Sequence, residues 1–405
     1  MDYFANTSYF FIPFVFNDGR LFHHLVRSIQ ASSNWSLVHD EIIYMLKYVA
    51  DKINSEDEKN CQCFHFALND YGRNTIDLAT PDTWYTTDKH SFRNEKERFR
   101  FQILEVQLYC FSTTVCIMAF KIHLEKNDPL WVSAAQYYLK KVSREMIWRE
   151  DGGSDMSFLG ISTKLMEEFI HICNFSFFYY ANPSTERANV LTFLEVPPQD
   201  DYLIELFHLR RCYHEGFMYV KDEDQDKDEI YMPSQDTVWG ISPEAAVCLV
   251  CPDHGRSQFL RSVFYTNFNR QYLFMYVLLL HQKYVLYMFL TQIGIGTYNS
   301  LETLEQYRHQ LYEFETDFVF SCVTEVPQYQ QLYDKMVTAF SLKKMYEDVH
   351  EPLISLGEIR RDASEIKQRK RDNSINRSLF MLSVLSFFSA LVDSFDFVDS
   401  FFGLF

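Results

Sequence analysis

Between Lys344 and Val392 the only residues that disfavour a helix through their backbone are Pro352 and Gly357. A stretch of that length with so few breakers reads as one long final helix. Leu356, Ile359, Ala363 and Ile366 keep a 3-4-3 apolar seam along it. Its charge then changes. Arg360, Arg361, Lys367, Arg369, Lys370, Arg371 and Arg377 are opposed only by Glu358, Asp362, Glu365 and Asp372, and no Lys or Arg follows Arg377. This basic segment sits on a chain of formal net charge -17. Cations beside an apolar run are the pattern of a cytoplasmic membrane flank, and they suit anionic lipid head groups.

The apolar run itself, Leu379 to Val392, is shorter than the roughly 20 residues that span a bilayer. Extending it to Phe402 brings in Asp393, Asp396 and Asp399. The polar residues are ordered: Ser386, Ser389, Asp393, Asp396 and Ser400 step 3-4-3-4 along one face, and Phe and Leu crowd the others. Three structures fit this pattern. The stripe lines a pore in an oligomer, or it is the wet side of an interfacial helix, or it is the solvent side of a soluble packing helix.

Upstream, Leu304, Tyr307, Leu311, Phe314 and Phe318 form a second seam of coiled-coil spacing. After Pro327, Tyr329, Leu332, Met336 and Phe340 form a third. The stretch Asn269–Leu290 is long and apolar enough to resemble a span, but His281, Gln282 and Lys283 sit at its centre. A lysine there is costly in lipid, so a buried core helix is the expectation.

Residues 1–265 mix strand and helix patterns, the mark of an α/β or α+β domain. Strands are expected at Tyr9–Phe16, Cys61–Leu68, Phe99–Tyr109, Ser112–His123 and Asn189–Val196. Helices are expected near Leu21–Gln30, Val38–Ile53, Pro129–Met146, Ser162–Asn174 and Asp200–Cys212. The run from Ser242-Pro243-Glu244 to Cys251 reads as an apolar helix. The acidic run Lys221–Ile230 reads as a solvated loop, since it lacks the central Gly and closing Glu of a calcium loop. The expected organisation is a cytoplasmic α/β domain (1–265), helical arms (266–343), a basic stalk helix (344–377) and an apolar, polar-striped membrane segment (378–405).

No catalytic constellation is recognised in the sequence, and an enzyme in the α/β domain is the least favoured reading. There is no Walker A loop, no Rossmann glycine fingerprint, no Gly-x-Ser-x-Gly and no His-Glu-x-x-His. The net charge repels nucleic-acid phosphate, so no nucleic-acid polymer is expected as a partner. Nine cysteines, an odd number without the spacing of a secreted scaffold, read as buried thiols in a reducing cytosol. The nearest approach to a metal set is Cys61, Cys63 and His65 with Cys248 and Cys251, where Cys-x-x-Cys is a zinc half-site spacing. Core thiols are the plainer reading of both groups.

The helical third, Leu301 to Ser400, resembles the CorA-like magnesium transporter family. Leu304-Glu-Gln-Tyr-Arg looks like the start of an arm, Leu356-Gly-Glu-Ile-Arg-Arg through Arg377 like the lower stalk, and Leu382-Ser-Val-Leu-Ser-Phe-Phe-Ser-Ala-Leu-Val like the opening of the first membrane helix. The family's Gly-Met-Asn motif is missing. Its place reads Asp393-Ser-Phe-Asp-Phe-Val-Asp-Ser. The resemblance implies a divergent or truncated member. It would be a homo-oligomer with its bulk in the cytoplasm, attached to the cell membrane through its C-terminus and carrying Mg2+ or another divalent cation. The candidate cation-attracting groups are then Asp393 and Asp396, with Asp399 next. The family also implies a ligand-gated effector, with a small-molecule or nucleotide signal and a link to prokaryotic defence. The other reading is a soluble oligomeric interaction protein whose last helix packs on the core or on a partner.

Overall fold

The structure, a computed structural model, describes residues 2–39, 41–54, 61–78, 83–87, 97–152, 155–177, 186–199, 201–214, 216–252, 256–295 and 301–402. The fold is mixed α/β, as the sequence patterns require. The chain divides into two compact units, Met1–Thr291 with Tyr312–Glu347, and Gln292–Leu311 with Asp348–Phe405.

The first unit is built on one sheet. Its strands are β1 (Asn6–Phe16), β2 (Trp35–Leu37), β3 (Cys63–Leu68), β4 (Thr83–Thr87), β5 (Arg98–Phe111) and β6 (Val115–Leu124). They continue as β7 (Trp148–Arg149), β8 (Phe175–Phe177), β9 (Asn189–Glu195), β10 (Ile230–Ser234), β11 (Thr237–Ile241) and β12 (Ala245–Val250). The order is β10-β11-β12-β9-β1-β6-β5-β3-β2, with β4, β7 and β8 off this path. Pairing is antiparallel except between β12 and β9. Strand β1 is central, and its near-continuous apolar sequence follows from burial on both faces. Phe10, Ile12, Phe14 and Phe16 face a core that includes Phe158, Trp131 and Leu25. Tyr9 and Phe11 face the other way, where Phe11 meets Tyr276 and the Tyr9 hydroxyl donates to Asn269 Oδ1 at 2.6 Å. Pro13 is tolerated in this central strand because of where it falls. The β9 pairing ends at Phe11 and the β8 pairing begins at Phe14, so that edge is unpaired at Pro13, while the other edge keeps its pairing with Ile117.

The first face is covered by the helices Phe22–Ala31, Pro129–Leu139, Phe158–Met166 and Leu203–Arg211, all of which contribute to that core. The second is covered by the helical run that starts at Ser257 and continues to Thr291 within this unit, which includes two π-helical turns, Leu260–Phe264 and Phe268–Tyr272. Among the described residues Ser257–Ile293 is the one helical stretch long and apolar enough to cross a membrane, and 83% of its most apolar window is buried. Its three central polar residues all have protein partners. The His281 ring stacks on Phe111 at 3.9 Å, and its Nε2 lies 2.7 Å from Thr113 Oγ1. Gln282 Nε2 donates to the Phe318 carbonyl at 2.6 Å, and Lys283 Nζ to the Pro243 carbonyl at 2.7 Å. Burial pushes the His281 imidazole far below its ordinary value, so it is neutral at physiological pH.

The β11–β12 turn is gripped from both faces. Lys283 reaches Pro243 from one side. From the other, Lys140 and Arg187 reach Glu244. Asn189 donates to the Pro243 carbonyl at 3.0 Å and accepts from the Tyr284 hydroxyl at 2.6 Å.

Several local expectations change. The run from Ser242 to Cys251 is not a helix: Ser242–Glu244 is the turn, and Ala245–Val250 is β12. A short apolar run between turn signals has no helical or strand period of its own, and parallel pairing with β9 in a doubly covered sheet decides it. The acidic run is not a loop: Glu223–Glu229 is a helix, capped by Asp222, whose carboxylate accepts from the Gln225 N–H. The helix from Pro129 stops at Leu139, and the helix expected from Ser162 starts at Phe158 behind the cap Ser157. The seams at Phe314 and Phe318 and at Tyr329, Leu332, Met336 and Phe340 are buried as their spacing requires.

In the second unit, Leu304, Leu311, Val349 and Leu353 are buried and Tyr307 is half-buried. Ile366 is exposed, and the side chains of Leu356, Ile359 and Ala363 lie outside the described ones.

Two outcomes are expected. Because β1 is covered on both faces, Phe10→Ala and Phe11→Ala should each cost about 3–5 kcal/mol in chemical denaturation. A loss below about 1 kcal/mol for either would mean that its face is open. Burial also lowers the Lys283 ammonium to about 8, against the opposing pull of Glu244. A lysine with a lowered folded value binds fewer protons in the native state than when unfolded. Stability therefore rises with pH from about 8 towards the ordinary lysine value near 10. Wild type should gain on the order of 3 kcal/mol relative to Lys283→Met across that window. A constant difference between the two would show that the ammonium keeps its ordinary value.

Candidate functional site

Charged side chains inside the first unit are engaged in holding the fold. Arg210, on the helix Leu203–Arg211, is 1% exposed and lies 2.7 Å from Asp226 and 2.8 Å from Glu229. Arg211 is 2.6 Å from the same Glu229, and the Tyr219 hydroxyl donates to Asp226 at 2.6 Å. Burial alone would raise the Asp226 carboxyl, but the bonds from Tyr219 and Arg210 outweigh it and hold the group below its usual range. Two arginines thus clasp one face of the acidic helix, which explains why it is ordered and leaves no cation cage there.

The cysteine and histidine groups do not meet. Cys63 and His65 lie on β3 and Cys248 on β12. Strands β5, β6, β1 and β9 stand between them, a separation of about 24 Å at the usual strand spacing. The Cys61 thiol donates to the Cys63 carbonyl, and the Cys251 thiol and the Tyr202 hydroxyl are 2.8 Å apart. All nine cysteines are thiols, and every one but Cys322 is buried. Burial raises the Cys248 thiol well above its ordinary value, and burial plus a bond with Cys110 does the same to Cys116. Such thiols resist becoming the thiolates that a metal requires. Among the described residues, no three His, Cys, Asp or Glu side chains are placed to hold a metal ion.

The remaining candidate is the terminal helix, Leu342–Phe402, of 61 residues with Pro352 inside it. At 1.5 Å per residue it is about 90 Å long. From Glu365 to Phe387 every side chain is exposed apart from the intermediate Val384. Lys367, Lys370, Arg371 and Arg377 recur at i, i+3, i+4 and i+10, which sets them on one face. Arg369 points elsewhere and lies 3.7 Å from Glu365. The apolar part follows directly. Leu379, Phe380, Met381, Leu382, Leu385 and Phe387 are 56–68% exposed. Successive helical positions turn by about a quarter to a third of a circle, so these six surround the helix rather than forming a stripe.

Two serines of this stretch bond within their own helix. Ser378 Oγ donates to the Ser374 carbonyl at 3.1 Å and Ser383 Oγ to the Leu379 carbonyl at 2.9 Å. A hydroxyl satisfied within its own helix is compatible with an apolar surrounding. Ser386 is exposed on the same stretch. The side chains of Arg360, Arg361, Ser389, Asp393, Asp396, Asp399 and Ser400 lie outside the described ones, although the helix itself runs through their positions. The all-round exposure of the apolar part was not legible in the sequence, because period alone cannot say whether a neighbour covers a face.

The chain matches no protein-family model, no curated protein and no solved structure.

Proposed function

We propose that this chain is a membrane-attached protein. Its sheet unit lies in the aqueous phase and its terminal helix enters the bilayer from Leu379 onward. The observation that carries this reading is the exposure of six large apolar side chains between Leu379 and Phe387, at 56–68% each, around the whole helix. A helix that is apolar on all sides needs an apolar surrounding on all sides. Burying each such side chain is worth about 1.5–3 kcal/mol, enough in sum to hold the chain at a membrane. A helix lying flat in the interface would need a polar face within this stretch, and a helix packed on a core would use one face only.

The sharper form of the proposal follows the resemblance to the CorA-like family. Copies of the chain pack their terminal helices around an axis, with Ser386, Ser389, Asp393, Asp396 and Ser400 turned towards it. The carboxylates attract a divalent cation such as Mg2+, since rings of acidic side chains favour cations. The absence of Gly-Met-Asn removes the family's own ion-binding motif, so ion choice rests on these aspartates.

Membrane attachment is tested by carbonate washing of membranes from cells that make the full chain or a form ending at Arg377. The full chain should stay in the pellet and the short form should be soluble. Two soluble forms would end the proposal. Cation passage is tested separately, by divalent flux into vesicles that hold the reconstituted chain. Asp393→Asn with Asp396→Asn should reduce flux at least severalfold. Wild-type vesicles that carry no flux would remove the pore and leave the attachment standing.

A further inference from the structure

We infer that the basic face of the terminal helix recognises an anionic lipid surface and so selects the leaflet and membrane into which the chain inserts. This rests on the membrane reading above and adds a chemical partner to it. The observation is the placement of the cations relative to the apolar part. For an upright helix, Arg377 lies about 3 Å before Leu379 along the axis, Arg371 about 12 Å and Lys367 about 18 Å. A headgroup layer is about 5–8 Å deep, and the Debye length at physiological salt is about 8 Å. Arg377 therefore stands among the headgroups. Arg371, Lys370 and Arg369 lie within about one Debye length beyond them, and the long Lys367 side chain reaches back towards that zone.

All five are exposed. Among the described residues only Arg369 has a carboxylate within ion-pair distance, Glu365 at 3.7 Å. Asp372 is the one acid between Lys367 and Arg377. Charge complementarity then works in two directions. The basic face is drawn to anionic phosphate. The rest of the chain, which carries the whole net negative charge of -17 and more, is repelled from the same surface. The helix is attracted and the body is held off, which orients insertion. Lipid is favoured over a nucleic acid because the apolar part begins two residues after Arg377, where a phosphate polymer has nothing to offer it.

The test is flotation of the full chain, diluted from detergent onto preformed vesicles. One set is phosphatidylcholine alone and the other is phosphatidylcholine with phosphatidylserine. Each cation near the surface is worth roughly fivefold in partition, so anionic vesicles should bind at least about tenfold more chain at low salt. High salt should remove that advantage. So should Lys370→Gln with Arg371→Gln and Arg377→Gln, which change exposed side chains only. Equal binding to both vesicle types would overturn this inference and leave membrane attachment intact. Failure to float with either type would overturn both. A chain that ignores vesicles but retards duplex RNA in a gel would replace the lipid with a nucleic acid.

Discussion

The first unit depends on strand β1 being apolar in both directions. Phe10 and Phe11 point to opposite faces of the sheet, and each must be covered. One covering layer is an ordinary set of amphipathic helices. The other is the long apolar helical run from Ser257, without which Phe11, Phe193 and Trp239 would face water. That helix carries the composition of a membrane span and is a core helix because two turns of the sheet and the end of a neighbouring helix supply its polar centre with partners. Thr113 meets His281, the Phe318 carbonyl meets Gln282 and the Pro243 carbonyl meets Lys283. In lipid the same three residues would be unpaired.

The two apolar helices of this chain therefore illustrate opposite solutions. The run Ser257–Ile293 has polar residues at its centre and protein around it. The terminal helix has apolar residues on every side between Leu379 and Phe387 and exposure around all of them. Hydropathy ranks the first as the better span. Burial ranks it as the worse one, since a side chain already covered by protein has nothing to gain from a bilayer.

The charge distribution serves these two solutions. Inside the first unit, cations are spent on holding segments together: Arg210 and Arg211 clasp the acidic helix, and Lys140 and Lys283 grip the β11–β12 turn from its two sides. On the terminal helix, Lys367, Lys370, Arg371 and Arg377 face outward on an exposed stretch. Exposed cations next to apolar side chains that are more than half exposed mark where an external partner is to be sought.

The sequence by itself determined the mixed α/β class, the buried strands at Tyr9–Phe16 and Asn189–Val196, the helix seams from Leu304 to Phe340 and the core placement of Asn269–Leu290. Each carries its own period or its own internal contradiction, such as a lysine at the centre of an apolar run. It did not determine Ala245–Val250, where six apolar residues have no period and pairing with β11 and β9 makes them a strand. Nor did it determine the acidic helix, whose order comes from Arg210 and Arg211, neighbours in space and not in sequence. Tertiary structure alone also decided that Cys63 and Cys248 belong to distant strands and that the large apolar side chains from Leu379 to Phe387 are more than half exposed. Local spacing sets which face a side chain occupies, and only the packed chain sets what, if anything, meets that face.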